Sequence, residues 1–537
     1  MPDPHVYDQP GRTDTVHGRT VPVPAGPSGP AGPPGPPDEL TTLLRDTDFW
    51  SDGMVRAAGI PIVDVPFVTV GGGLGSFVTV DYLRIAGVPA DEIRVLSNLD
   101  YPWQTYEYLT RVSQIPGPER IRSDSSSRPD NIWGFPSYAV GEAWRERTLK
   151  PLWEVFTEPL IADYWTPRVG AVFRGLEREA KRIGYPDMLS RGLVRTVRRR
   201  MDGGYFTILT PRPGDTTTQP TAYRSQFVHI AVGYPGLRFL PDLQALRLGA
   251  GDYHHVVNAY EPHEHVYQHL MTAPGTVVVR GGGIVASRVL QRIMDDRERN
   301  GAQTNVVHVF RTFVRGPQGP HPWLRQPGGD GWAYQGFNYP KSVWGGQLKA
   351  EVRKLDGEAR ARAYHQMGGT STPYRRTWQR QLAAGRNGGY YTALQGAIEQ
   401  VEVNPDGRLR CRIVGENGAR EIHAEYIIDC TGLQPDITHH RVLKDLLDHG
   451  GAGRNPLGGL EVERHFEVKG TASGNGALYA SGVATRGGYF PGVDTFLGLQ
   501  IAAQEIAEDL ARRGFARPLT VSRSTRQWFN WLLNRPV

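Results

Sequence analysis

Phe67-Val68-Thr69-Val70-Gly71-Gly72-Gly73-Leu74-Gly75-Ser76-Phe77 decides the fold. A β-branched, largely apolar strand runs into three glycines and then into a helix that continues to Gly87. A pyrophosphate carries its negative charge close to its bridging oxygens. A helix N-terminus can meet it with free backbone N–H groups and the positive end of the helix dipole, provided no side chain holds it off. Gly71, Gly73 and Gly75 fill the places where that closeness is needed, with Ser76 where the strict pattern has its third glycine.

The pattern recurs in Thr276-Val277-Val278-Val279-Arg280-Gly281-Gly282-Gly283-Ile284-Val285-Ala286-Ser287, where Gly281 and Gly283 take the same roles and Ala286 the third position. One glycine-rich turn is weak evidence, because such turns also occur without a ligand. Two, each between an apolar strand and an amphipathic helix, predict two α/β units. The expected fold class is α/β with two Rossmann-like dinucleotide-binding domains.

The end of the next strand reads the ligand's ribose. After Ile93-Arg94-Val95-Leu96 come Ser97 and Asn98, where a carboxylate is usual. Asn98 can still hydrogen-bond a hydroxyl, and Asp100 is near. After Asn305–Phe310 comes Arg311, whose charged guanidinium fork suits a 2′-phosphate and favours NADPH over NADH. The plain alternative is a surface arginine at a strand end. A third stretch, Ala397 to Gly432, holds a hairpin turn at Asn404-Pro405-Asp406-Gly407 and closes with Tyr426-Ile427-Ile428-Asp429 running into Cys430-Thr431-Gly432.

A net charge of +6 spread over 537 residues argues against a nucleic-acid partner, and Arg195, Arg198, Arg199 and Arg200 read as a solvated helix face. No apolar run is long enough for a membrane span, and no secretory signal is visible, so a cytoplasmic protein is expected. The two cysteines, Cys411 and Cys430, match neither a redox pair nor a zinc site. Residues 1–38, with Gly26–Pro37 as collagen-like triplets, predict a disordered Pro/Gly-rich tail, and a helix Glu39–Asp48 should open the folded part.

The order of these parts resembles the two-dinucleotide-binding-domain flavoproteins. It is most similar to the class B flavin monooxygenases and their N-hydroxylating relatives, over residues 60 to 515. The resemblance is carried by Gly71-Gly72-Gly73-Leu74-Gly75, Gly281-Gly282-Gly283, Asp429-Cys430-Thr431-Gly432 and Leu478-Tyr479-Ala480-Ser481-Gly482. It implies FAD at the first turn and NADPH at the second, with the FAD domain interrupted by the NADPH domain. The expected spans are 39–235 and 396–537 for FAD, and 236–395 for NADPH and substrate. It further implies FAD contacts from Thr431 and Gly432, from Gly482, and from Gly492 and Asp494 in a turn facing the isoalloxazine before a helix Thr495–Leu510.

Two departures stand out. The acid that usually follows Gly482 is Val483, and the class B fingerprint before the second turn is replaced by His254, His255, Tyr260, His263, His265 and Tyr267 at another spacing. His263 and His265, two apart, suit a strand or loop. No metal site is expected there, and a structural or flavin-edge role fits better. Among the aromatics Tyr101, Trp103, Tyr106, Trp133, Phe135 and Tyr138, Trp133 sits in a loop that could floor the flavin ring, with ordinary packing an equal reading. The span 341–400, with Lys341, Arg353, Arg375 and Tyr390, is expected to bring helices near the active site.

The resemblance implies an FAD-dependent, NADPH-consuming monooxygenase. It would use molecular oxygen and a flavin hydroperoxide to hydroxylate a small molecule, with nitrogen as one candidate position. No Ser/His/Asp or paired-carboxylate signature assigns a catalytic side chain. A flavin dehydrogenase or reductase without oxygen insertion, and a non-catalytic flavin-fold scaffold, are the alternatives. The substrate and the oligomeric state are open.

Overall fold

A computed structural model describes residues 15–16, 19–20, 42–122, 136–161, 165–212, 219–317, 328–335, 347–366, 372–416 and 418–537. The expected tail falls outside these residues, apart from a pairing of Thr15–Val16 with Arg19–Thr20, and so do Trp133, Phe135 and Lys341.

Ten strands matter for the site. In chain order they are β1 (Phe67–Val70), β2 (Ile93–Ser97), β3 (Leu189–Arg191), β4 (Phe227–Ile230), β5 (Val256–Asn258), β6 (Gly275–Arg280), β7 (Thr304–Phe310), β8 (Tyr391–Gln395), β9 (Tyr426–Asp429) and β10 (Ala477–Ala480). They form two five-stranded, all-parallel sheets, ordered β10-β4-β1-β2-β3 and β5-β9-β6-β7-β8. Every residue of β1, β4 and β9 is buried, as expected of inner strands covered on both faces, and so is every residue of β10, although it lies at the edge of its sheet.

Seven helices accompany these strands: α1 (Leu74–Ile85), α2 (Pro136–Glu146), α3 (Lys150–Ile161), α4 (Val169–Ile183), α5 (Ile284–Asn300), α6 (Gly357–Gln366) and α7 (Phe496–Arg512). One face of the first sheet packs on α1 and α7 through Phe77, Val80, Leu83, Ile501 and Ala503. The other face packs on Val197, Tyr205 and Leu209 of a mixed sheet ordered Phe49–Trp50, Leu193–Arg200, Tyr205–Thr210, Thr221–Ser225, Ile62–Asp64. The second sheet carries an antiparallel meander, Ala397–Val403, Leu409–Gly415 and Gly418–Ala424. Its first turn is the expected hairpin, with Gly407 N–H donating to Asn404 O at 2.9 Å.

Three expectations need correction. The break placed at 396 falls inside the second sheet: β9 hydrogen-bonds to β6, and the chain rejoins the first sheet only at β10. An apolar strand buried on both faces must complete its ladder, and the open side of β6 supplies it. Among the described residues the expected helix Glu39–Asp48 ends at Arg45, being helical over Thr42–Arg45, and Asp46–Asp48 lead into the strand Phe49–Trp50. The arginines at 195–200 lie on a strand, whose alternate residues face opposite ways. Arg198 is buried against Asp445 and over the Trp50 ring, while Arg199 stacks on Phe49.

Candidate functional site

Both glycine turns emerge at the C-terminal ends of their sheets, where open α/β sheets bind ligands. At the first, Gly71 has φ 93° and a Cβ there would sit 2.4 Å from the carbonyl oxygen of Ala231, at the end of β4. A Cβ on Gly72 would sit 2.4 Å from Ser97 Oγ. Gly73 is the N-cap of α1 and makes no side-chain cap, and a Cβ built on it meets nothing within 4 Å. The turn is therefore closed beneath and open in front, with unsatisfied N–H groups facing the opening.

Ser76 points under this turn. Its buried hydroxyl donates to Gly71 O and accepts from Thr69 Oγ1 at 2.9 Å. Thr69 in turn lies 3.0 Å from His229 Nδ1, and His229 Nε2 lies 2.9 Å from Ser481 Oγ. Because the Thr69 proton goes to Ser76, Nδ1 of His229 must carry its hydrogen and Nε2 accepts from Ser481. Burial holds the imidazole neutral, with its pKa down to about 3. One directed chain thus crosses β10, β4 and β1 and ends on the carbonyl of the first glycine.

Beside the turn, a cavity of about 200 Å³ is lined by Tyr101, Trp103, Tyr185, Leu189, Asp100 and Arg191. Tyr185 joins it to the turn, donating to Gly72 O at 3.3 Å. Asp100 pairs with Arg191 at 3.2 Å, while Asn98 is exposed and its backbone carbonyl accepts from Arg212.

Around the far end of the first sheet, Tyr234 donates to Asp494 at 2.5 Å and Tyr106 packs edge-on to Phe496 at 5.1 Å. Burial raises the pKa of Tyr106, Tyr234 and Tyr260, and the Asp494 charge raises the last two further, so all three keep their protons. Gly492 O accepts from Thr495 Oγ1 at 2.7 Å, and the Thr495 side chain caps α7. A Cβ on Gly498 would lie 1.9 Å from Gly492 O, so α7 is locked against this turn. Gly482 follows β10 with φ 71°, and Val483 in the acid's usual place is buried. From the 341–400 span, α6 sends Arg360 to Gly487 O at 2.8 Å and Tyr364 to Gly488 O at 2.9 Å.

The second turn repeats the first. Gly281 has φ 126° and a Cβ there would lie 2.8 Å from Cys430 O, at the end of β9. Its own carbonyl is held by His308 Nε2 at 2.5 Å, and Tyr391 satisfies Nδ1 at 2.8 Å. Gly283 is the N-cap of α5, Ala286 is buried behind it, and Arg311 is exposed at the end of β7. Nearby Arg288 is buried against Gln114 O at 2.9 Å, and Arg315 pairs with Glu416.

Thr431 and Gly432 stand beside the second turn, because β9 belongs to that sheet. Gly432 O accepts from Arg238 N at 3.3 Å, where the chain crosses from one sheet to the other. What sequence reasoning missed is the counterpart of this segment in the first unit, Ala231-Val232-Gly233-Tyr234. Its signal is the same as that of β9: a short apolar run, Phe227–Ile230, ending in small residues and glycine.

The histidine cluster belongs elsewhere. His254 stacks on His265 at 4.3 Å, and with His255 and His269 they ring Tyr426, the first residue of β9, at the opposite end of the sheet from the glycine turns. That placement removes a flavin-edge role. His265 lies in a helix, Glu264–Thr272, and the buried His263 precedes it, bonded to Glu261 O and Tyr267. Among the described residues, the group with metal-ligand spacing is His465, Glu467 and Asp509, but Arg513 already pairs with both acids and Arg512 with Asp509. Cys411 and Cys430 are free and buried, and burial pushes the Cys411 thiol up to about 12.

No family model matches the chain, and no curated protein matches it. Solved structures do. The ornithine hydroxylase of Pseudomonas aeruginosa aligns with a TM-score of 0.56 and 14% identity, over 84% of this chain and 100% of its own. The ornithine N-hydroxylase of Kutzneria sp. 744, solved with reduced FAD, NADP+ and L-ornithine, aligns with a TM-score of 0.59 and 12% identity, over 84% of this chain and 100% of its own. The FAD-bound cadaverine monooxygenase of Erwinia amylovora aligns with a TM-score of 0.59 and 10% identity, over 86% of this chain and 98% of its own. At these identities the likeness is one of fold: the chain has the fold of these N-hydroxylating flavin monooxygenases, as its glycine turns and closing strands led us to expect.

Proposed function

We propose that this chain is an FAD-dependent, NADPH-consuming monooxygenase that hydroxylates a small molecule, with nitrogen as the position favoured by its structural neighbours. The carrying observation is the duplicated turn: Gly71 against Ala231 and Gly281 against Cys430, each opening a helix N-terminus at the end of a parallel sheet. Two such sites suit two dinucleotides.

The residues present fit FAD at the first turn. The open space before Gly73 admits a pyrophosphate that a side chain would exclude, and the cavity at Tyr101, Trp103 and Tyr185 offers aromatic walls for adenine. Tyr106, Tyr234, Tyr260 and Phe496 would wall the ring. In place of the acid after Gly482 stands an apolar contact from Val483. When bound, the flavin supplies hydride acceptance and oxygen activation. The chain's own part is to orient both nucleotides and keep water out. Tyr234 holds its proton toward Asp494 Oδ2. NADPH would lie on Gly281, Gly283 and Ala286 with Arg311 at its 2′-phosphate. In this reading residues 39–235 and about 433–537 form the FAD domain, since Ile437, Val442, Leu446 and Leu460 pack with Val68 and Val228 of the first sheet, and the NADPH domain runs from 236 to about 432.

The test is direct. The purified protein should be yellow, should be bleached by NADPH, and with amine substrates in air should yield product containing oxygen from O₂. NADPH oxidation that makes only hydrogen peroxide across a broad panel, with turnover unchanged under nitrogen on an artificial acceptor, would favour a reductase instead. A colourless protein that binds no added FAD would favour a scaffold.

A further inference from the structure

Helices α2 and α3 form a hairpin joined by residues 147–149, with Arg147 at φ 51°. Its inner side meets the first core through Ala139, Leu152 and Val155. Its outer side carries Val140 (55% exposed) and Trp144 (85%) on α2, then Trp153 (62%) and Phe156 (78%) on α3, with Leu149 (76%) in the connection. The spacings 140/144 and 149/153/156 put each set on one helical face. A solvent-facing helix normally shows charge on that face; here two adjacent helices both show large apolar residues.

We infer that this face is a self-association surface, which pairs with the same face of a second copy of the chain. Size supports it. At roughly 150–250 Å² per aromatic side chain, the five residues expose on the order of 500–700 Å², close to the roughly 800 Å² per partner of a standard interface. Composition supports it too, since Trp and Phe are the anchors that interfaces favour. Charge separates a second copy from a bilayer. Residues 136–161 contain Glu142, Glu146, Glu154 and Glu158 against Arg145, Arg147 and Lys150, so no basic excess draws the hairpin to anionic lipid. Several of these charges are already spent within the chain, as Glu142–Arg120, Glu146–Arg168 and Lys150–Glu154. What remains is a near-neutral apolar face, the kind that a two-fold axis can make self-complementary.

The test is the mass of the full-length, flavin-loaded protein by light scattering and sedimentation over a wide concentration range. The wild type should be a dimer. Trp144→Glu and Phe156→Glu should each weaken it by roughly thirtyfold or more, as expected for interface hot spots, and together should give a monomer with unchanged melting temperature and flavin content. A wild type that stays monomeric at every concentration overturns the proposal, as does a double variant that remains dimeric. Co-sedimentation of a monomeric wild type with phosphatidylserine vesicles would likewise overturn it and assign the face to a membrane.

Discussion

The imidazole Nδ1 of His229 lies 3.0 Å from the hydroxyl of Thr69, and both residues are fully buried under the first glycine turn. That pair sets the direction of the hydrogen-bond chain ending on Gly71 O, and it has a titration consequence. His229 is held near 3 and His308 near 3, while His263 and His440 are held near 4. Each pKa is depressed below the ordinary 6.5, so below pH 6.5 the unfolded chain binds protons that the folded one refuses. Stability should therefore be full above pH 6.5 and fall as pH drops toward 4, by about 1.4 kcal/mol per pH unit for each histidine. His229→Gln should remove its share of that slope. Denaturant titrations of both proteins at several pH values measure it, and an identical slope in the variant would refute the assignment.

Gly71 and Gly73 should fail differently. Gly71→Ala puts a Cβ into the Ala231 carbonyl at a left-handed φ, so it should lower the melting temperature with or without FAD. Gly73→Trp has open space, so the protein should fold and purify colourless. Calorimetry with visible absorbance separates the two. A yellow Gly73→Trp protein with full flavin occupancy would mean that the first turn holds something else.

Gly283→Trp should leave the protein yellow and reducible by dithionite but not by NADPH, because Gly283 caps the helix of the other sheet. Anaerobic bleaching followed by stopped flow reads this. Loss of both FAD and NADPH reduction in a folded variant would contradict independent sites.

Arg311→Glu should raise the Michaelis constant for NADPH by roughly ten- to a hundredfold, the equivalent of about 1.5–3 kcal/mol for charge-assisted bonds to a phosphate. NADH should change little, and flavin content should hold. Arg311 is exposed at a strand end, so its replacement should not disturb packing. The structure also narrows the alternatives, since Arg288 is buried against Gln114 and Glu119 and Arg315 is paired with Glu416. Equal effects on both nucleotides would assign Arg311 to the shared part of the cofactor.

Much of this was legible in the residues themselves. Phe67–Val70 and Thr276–Val279 are largely apolar runs soon followed by glycines, and a local pattern of that kind dictates strand, turn and helix wherever the segment sits. The hairpin at Asn404–Gly407 was readable for the same local reason. The partners of those segments were not. That Gly71 must be glycine because Ala231 O approaches it, that His229 meets Thr69 beneath the turn, and that Tyr426–Asp429 completes the second sheet are facts of strand order, between residues far apart in the chain. An apolar strand buried on both faces carries no mark of which neighbour it will pair with. Only the closing of the sheets decided that, and with it where Thr431 and Gly432 stand.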